Sequence, residues 1–135
     1  MPVLTYIDTG VLIWAFREDG AASDLASSFL FDPLREYVTS HYLLLDLLPH
    51  CEFCGRSEEA EFYRAFFHSA RHRVPSSDAL IAYALQEGCK TGISGIDAVH
   101  VACAAIAGAE ELITTEGLTK PMHRTSLLKI ITINP

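Results

Sequence analysis

Four carboxylates stand where a fold could bring them together. Asp8 follows the apolar run VLTYI, Glu116 follows ELITT, Asp97 opens a long apolar segment, and Asp46 is the only acid in a leucine-rich stretch. Carboxylates held close to one another repel, and each raises its neighbours' pKa. No obvious basic partner stands beside any of them in the chain. A hard divalent ion would relieve the repulsion, because Mg²⁺ and Mn²⁺ favour carboxylate and water oxygens. Such an ion can activate water and neutralise charge on a phosphodiester. Each acid also has a structural reading. Asp8 and Asp97 suit helix N-caps, Glu116 a solvated turn, and Asp46 an exposed helix edge.

The elements that would position these acids follow from the hydrophobic pattern. Short β-branched and aromatic runs predict strands at residues 3–7, 36–39, 111–115 and 127–133. Residues 74–75 are too short to assign beyond a small edge element. Helices are expected at 11–16, 22–31, 42–48, 57–71, 77–86 and 96–107. Ser40 is placed to cap the third of these, PHCEFCG reads as a break after it, and Gly88 ends the fifth. The first helix comes directly after the first strand, and the leucine-rich helix is too apolar all round to lie on the surface. Strands alternating with helices predict a parallel sheet covered on both faces. Ligands in such folds sit beyond the carboxyl ends of the strands. Asp8 and Glu116 are therefore expected to point into one crevice.

The 135 residues suit one domain, 1–135, with half of them hydrophobic and a fifth charged. The opening MPVLTYIDTG lacks a basic segment before an apolar run, so no export signal is expected. No apolar stretch approaches the roughly 18 residues of a membrane helix. The expectation is a cytoplasmic chain with no membrane partner and four reduced cysteines. The net charge of −7 argues against a dedicated basic nucleic-acid surface. It is compatible with an enzyme that meets phosphate through metal ions.

Three segments resemble PIN domains, the family of VapC-like ribonuclease toxins and their relatives. YIDTGVLIWAF resembles the family's opening strand and helix. TSHYLLLDLL resembles its second motif, and GIDAVHVACAAIAGAEELITTE its third. The blocks occur in order across residues 6–116. The resemblance implies a three-layer α/β/α sandwich with a central parallel sheet of four or five strands. It implies a Mg²⁺- or Mn²⁺-dependent ribonuclease acting on single-stranded or structured RNA, often the toxin of a toxin–antitoxin pair and often a homodimer. By carry-over, Asp8, Asp46, Asp97 and Glu116 form the metal-binding and catalytic quartet. Thr114 would orient the last acid, and Ser40 would cap the helix that carries Asp46. The chain departs from the family pattern in four places. Asp46 stands where Glu is usual, Glu116 where Asp is usual, and Gly10 where Asn is frequent, and Gly117, Leu118 and Thr119 follow Glu116 without the additional acid of many members.

Other readings compete. Cys51, Cys54, His68 and His72 have zinc-ligand spacing, and the two histidines stand one helical turn apart. A zinc-stapled nucleic-acid-binding module and a PIN-like scaffold without activity are the non-enzyme alternatives. Lys120, His123, Arg124 and the Arg71-His72-Arg73 cluster are candidate RNA guides or simply solvated charge. His100, on an apolar helix, reads as a packed or capping histidine, and no nucleophile-elbow or phosphate-cradling glycine motif is present. If the acids crowd, Asp46→Asn or Asp97→Asn should stabilise the metal-free chain.

Overall fold

The computed structural model describes all residues, 1–135. Five strands form: β1 (Val3–Ile7), β2 (Arg35–Ser40), β3 (His72–Val74), β4 (Glu111–Thr114) and β5 (Lys129–Thr132). Every pairing is parallel, in the order β3-β2-β1-β4-β5. Six α-helices join them: α1 (Thr9–Arg17), α2 (Gly20–Leu30), α3 (His41–Phe53), α4 (Ser57–Ser69), α5 (Asp78–Thr91) and α6 (Gly95–Ile106). A 3-10 turn at Pro121–Arg124 precedes β5.

Side chains alternate across the strands and so divide the core in two. Tyr6, Val38 and Leu112 face Leu80, Ala84, Val101 and Ala102 of α5 and α6. Ile7 and Ile113 face Val11, Leu12, Leu30, Leu43 and Tyr63 of α1 to α4. Helices on both faces of a parallel sheet make the expected three-layer α/β/α sandwich. At the amino ends of the strands, the Arg35 Nε donates to Glu111 Oε2 at 2.6 Å, and Thr5 Oγ1 donates to the same oxygen at 2.8 Å. This partly buried cluster joins β2, β1 and β4 at the end away from the acids.

The chain leaves β1 for β2 and β3 on one side and returns to the other side for β4 and β5. The carboxyl ends of β1 and β4 therefore flank the point where the strand order reverses. Open α/β sheets hold their ligands at such a point.

Three elements differ from the sequence expectation. The break predicted at PHCEFCG is helical, and α3 runs through Pro49 to Phe53. Leu43, Leu47 and Cys51 recur at four-residue spacing and are all buried, while Pro49 lies on the exposed side. Packing of that stripe outweighs the backbone hydrogen bond that proline forgoes. Helix α5 passes Gly88 and ends at Gly92, whose φ of 82° forms a left-handed cap. Gly88 serves a close approach instead, since a Cβ there would meet the Ile93 carbonyl at 2.6 Å. Helix α4 stops at Ser69, and His72 to Val74 form the edge strand β3 beside β2.

Gly10 marks a second close approach, between α1 and the segment after β4. A Cβ on Gly10 would lie 2.1 Å from Thr115 Oγ1. The space that a side chain would need at position 10 is filled by Thr115. Gly10→Ala should therefore destabilise the fold by about 1–3 kcal/mol through overpacking, despite alanine's better helix propensity. Thermal melts should show the double variant Gly10→Ala/Thr115→Ala recovering most of the loss. An unchanged melting point for Gly10→Ala would contradict the packing argument.

Candidate metal centre

Asp8 directly follows β1 and is the N-cap of α1. Its Oδ1 accepts from the Thr9 amide at 2.9 Å, and its Oδ2 accepts from the Thr114 hydroxyl at 2.7 Å. Thr114 Oγ1 in turn accepts from the Glu116 amide at 3.0 Å. Thr114 thus grips the Asp8 side chain and the Glu116 main chain, a wider task than orienting the last acid. Glu116 lies two residues beyond the end of β4, and His123 Nε2 stands 2.9 Å from its carbonyl oxygen. Asp8 is 5 % exposed, so its carboxylate is fixed from two sides in a nearly dry place.

Asp97 is in the first turn of α6 but is not its N-cap, a position held by Ser94. Burial pushes its carboxyl up to about 6, and the charges of Asp8, Glu116 and Asp46 add to the shift, with His100 opposing. Three acids from other elements therefore act on one carboxyl. Asp97 and Glu116 also line one polar cleft of about 200 Å³ with Ser94 and Lys120.

Asp46 behaves differently. It lies on the exposed side of α3, its side chain 36 % accessible. Its carboxyl is held below the usual range, chiefly by His100, with the Thr9 hydroxyl assisting and burial opposing. His100 is completely buried, and its Nε2 lies 3.7 Å from Asp46 Oδ2. That is longer than an ordinary hydrogen bond, and the polar edge of the imidazole faces the carboxylate. Asp46 therefore has the partner that the sequence did not reveal.

Ser40 holds the N-cap position of α3, yet its side chain does not cap the helix. Its buried hydroxyl lies 2.9 Å from Tyr6 Oη, and Tyr6 Oη lies 2.5 Å from His100 Nδ1. Tyr6 and Thr9 are polar groups around the acids that sequence reasoning passed over, and His100 is packed as expected but also faces Asp46. The available signal was modest: Tyr6 and His100 are polar-tipped rings inside otherwise apolar segments.

As the side chains stand, no three carboxylate, imidazole or thiol groups are gathered closely enough to grip one ion. The chemistry of the donor set still suits a hard divalent cation. All four candidates are oxygen donors, and Mg²⁺ commonly takes only one or two carboxylates and keeps several waters. The charge on Asp97 is the strain such an ion would relieve.

The zinc pattern does not assemble. Cys51 is buried in the core stripe of α3, Cys54 is exposed, and His72 lies on β3 instead of continuing α4 past His68. The basic candidates also separate. Arg71 pairs with Glu36, and Arg73 Nη1 donates to the Ala70 carbonyl at 2.7 Å at the end of α4. Both belong to the β3 edge of the sheet, with β2 between them and β1. Arg124 Nη1 donates to the Thr91 carbonyl at 3.0 Å and closes α5. Lys120 alone among these cations lines the cleft with two of the acids.

A carboxyl raised on folding keeps its proton in the folded chain at pH values where the unfolded chain has lost it. Stability of the metal-free protein should fall as pH rises from about 4 to about 6, with the penalty complete above that window. Asp97→Asn is expected to stabilise the metal-free chain at pH 7 by about 1 kcal/mol, a figure discounted for its half-exposed position. Little gain is expected at pH 4. Asp46→Asn loses a favourable partner and should bring no gain, which restricts the earlier expectation to Asp97. Melts in chelator at both pH values check the pair, and equal gains for the two variants would contradict it.

Comparison with known proteins follows the same outline. The PIN domain family profile matches residues 5–117. No curated protein sequence matches the chain. Similar solved structures include a chain of VapBC2 from Rickettsia felis bound to a DNA fragment from their promoter. Its TM-score is 0.72 at 13 % identity, covering 96 % of this chain and 98 % of that one. A chain of a toxin-antitoxin complex from Klebsiella pneumoniae gives 0.69 at 16 %, covering 95 % and 96 %. A chain of DNA-bound VapBC from Salmonella typhimurium gives 0.68 at 16 %, covering 98 % of each. At these identities the likeness speaks for the fold. The profile match runs from within β1 to just past Glu116, and the chain belongs to the PIN domain family.

Proposed function

We propose that this chain is a divalent-metal-dependent endoribonuclease of the VapC-like toxin type, using Mg²⁺ or Mn²⁺. The observation that carries the reading is the raised Asp97 carboxyl, which feels Asp8, Glu116 and Asp46 at the reversal point of the sheet. Asp8 and Asp97 are the best placed to hold an ion directly, because one is fixed by two hydrogen bonds and the other is relieved by cation charge. Glu116 faces the same cleft as Asp97 and completes the set. Asp46 is ionised at neutral pH and can hold a metal-bound water or accept a proton.

A bound divalent ion would activate water and neutralise charge developing on the scissile phosphate. The protein's own part is to fix the acids and admit the strand. Thr114 and the start of α1 lock Asp8, and His123 steadies the Glu116 loop. Lys120 offers a cation to the backbone phosphate at the mouth of the cleft. With a net charge of −7, most of the attraction for RNA would come from the ions.

Toxin–antitoxin assemblies among the solved neighbours support an antitoxin protein as partner. A homodimer and a cytoplasmic location belong to the same proposal. No helix is long and apolar enough to cross a membrane. The test is cleavage of mixed single-stranded and structured RNA with Mn²⁺, comparing wild type with Asp8→Asn. Cutting by the wild type should drop at least about a hundredfold in the variant and vanish in chelator. Cutting that survives both would locate the activity elsewhere, and a wild type that cuts no RNA would turn the reading toward a binding role.

A further inference from the structure

His100 presents an unusual arrangement of polar atoms. The ring is 0 % exposed, and its Nε2 has no hydrogen-bond partner. Buried polar atoms are rarely left alone, because each unsatisfied one costs about 1–3 kcal/mol. This one lies 3.7 Å from the Asp46 carboxylate. Its other nitrogen, Nδ1, is 2.5 Å from Tyr6 Oη, which is itself 2.9 Å from Ser40 Oγ. The chain Ser40–Tyr6–His100–Asp46 joins β2, β1, α6 and α3.

For a neutral His100 ring, the proton inventory decides how this chain is ordered. A phenol and a hydroxyl each carry one proton, and a neutral imidazole carries one N–H. If Nδ1 carried that proton, the bare Nε2 lone pair would face a carboxylate, and two acceptors would oppose each other. If Tyr6 donates to Nδ1, the N–H falls on Nε2 and is directed at Asp46. Ser40 then donates to the phenol oxygen, and every group has a role.

We propose that Tyr6 and His100 are positioning residues for Asp46, with the Tyr6 hydroxyl setting the Nε2–H tautomer that steers the Asp46 carboxylate toward the crevice. The inference rests on the reading of Asp46 as one acid of the metal site. Asp46 needs such a device because its helix leaves it exposed, and a free carboxylate there would sample several rotamers. Partners of this kind, one shell behind a metal-binding carboxylate, set the orientation of the group that meets the ion.

The test begins with the metal-free protein. Long-range ¹H–¹⁵N spectra should show His100 as a neutral ring protonated at Nε2. Tyr6→Phe keeps the ring and its packing but removes the hydroxyl, and it should abolish the single tautomer. Mn²⁺ titration should then find Tyr6→Phe and His100→Leu weakened about tenfold. His100→Gln, which can return an N–H to the same side, should recover most of the loss. Circular dichroism confirms that each variant is folded. A ring protonated at Nδ1, or at both nitrogens, in the wild type would overturn the proposal. So would Mn²⁺ affinity unchanged in both Tyr6→Phe and His100→Leu. A wild type that shows the Nε2–H ring and its dependence on Tyr6, yet binds no Mn²⁺, would sink the metal reading and leave the relay standing.

Discussion

The hydrogen bond from the Thr114 hydroxyl to Asp8 ties the two central strands together where the sheet reverses its order. Its consequences spread in both directions. Asp8 also starts α1 through the Thr9 amide, so the same carboxylate sets where the first helix leaves the sheet. Thr114 also accepts the Glu116 amide, which fixes the path of the loop after β4. Parallel strands place these chain exits at one edge. The ion pair of Arg35 with Glu111 ties β2 to β4 across β1 at the opposite end. One edge is neutralised internally, and the other is left negative.

That asymmetry gives the acidic edge its chemistry. A charge pair such as Arg35–Glu111 satisfies its members, whereas Asp97 faces carboxylates and carries the cost as a raised pKa. Functional sites are where such unrelieved shifts gather. Asp46 shows the contrasting solution, a carboxylate steadied by a buried imidazole. The site therefore combines acids of two kinds. Asp97 is left facing other carboxylates, and Asp46 is already partnered.

Much of this was legible in the chain. Strands that end just before Asp8 and near Glu116 are visible as apolar runs followed by an acid, and alternation with helices implies parallel pairing. The three PIN-like blocks placed the same acids. What escaped was decided by distance in the sequence. Ser40 has cap chemistry, but Tyr6 claims its hydroxyl from another strand. Pro49 reads as a stop, yet the Leu43, Leu47 and Cys51 stripe carries the helix through it. Gly88 reads as a cap, but its small size serves contact with the Ile93 carbonyl. The zinc spacing failed because the same stripe draws Cys51 into the core and α4 ends before His72. Local patterns located the acids. Contacts across ninety residues determined which of them is paired, as Tyr6 and His100 illustrate.

The central claim is that the acids at the β1–β4 edge make one divalent-cation site. Mn²⁺ binding at pH 7, followed by water-proton relaxation, tests it most directly, with wild type compared against Asp97→Asn and against Asp24→Asn on the exposed surface of α2. The account predicts saturable binding by the wild type and by Asp24→Asn, and its loss in Asp97→Asn. Equal binding by all three, or no saturable binding by the wild type, would contradict it.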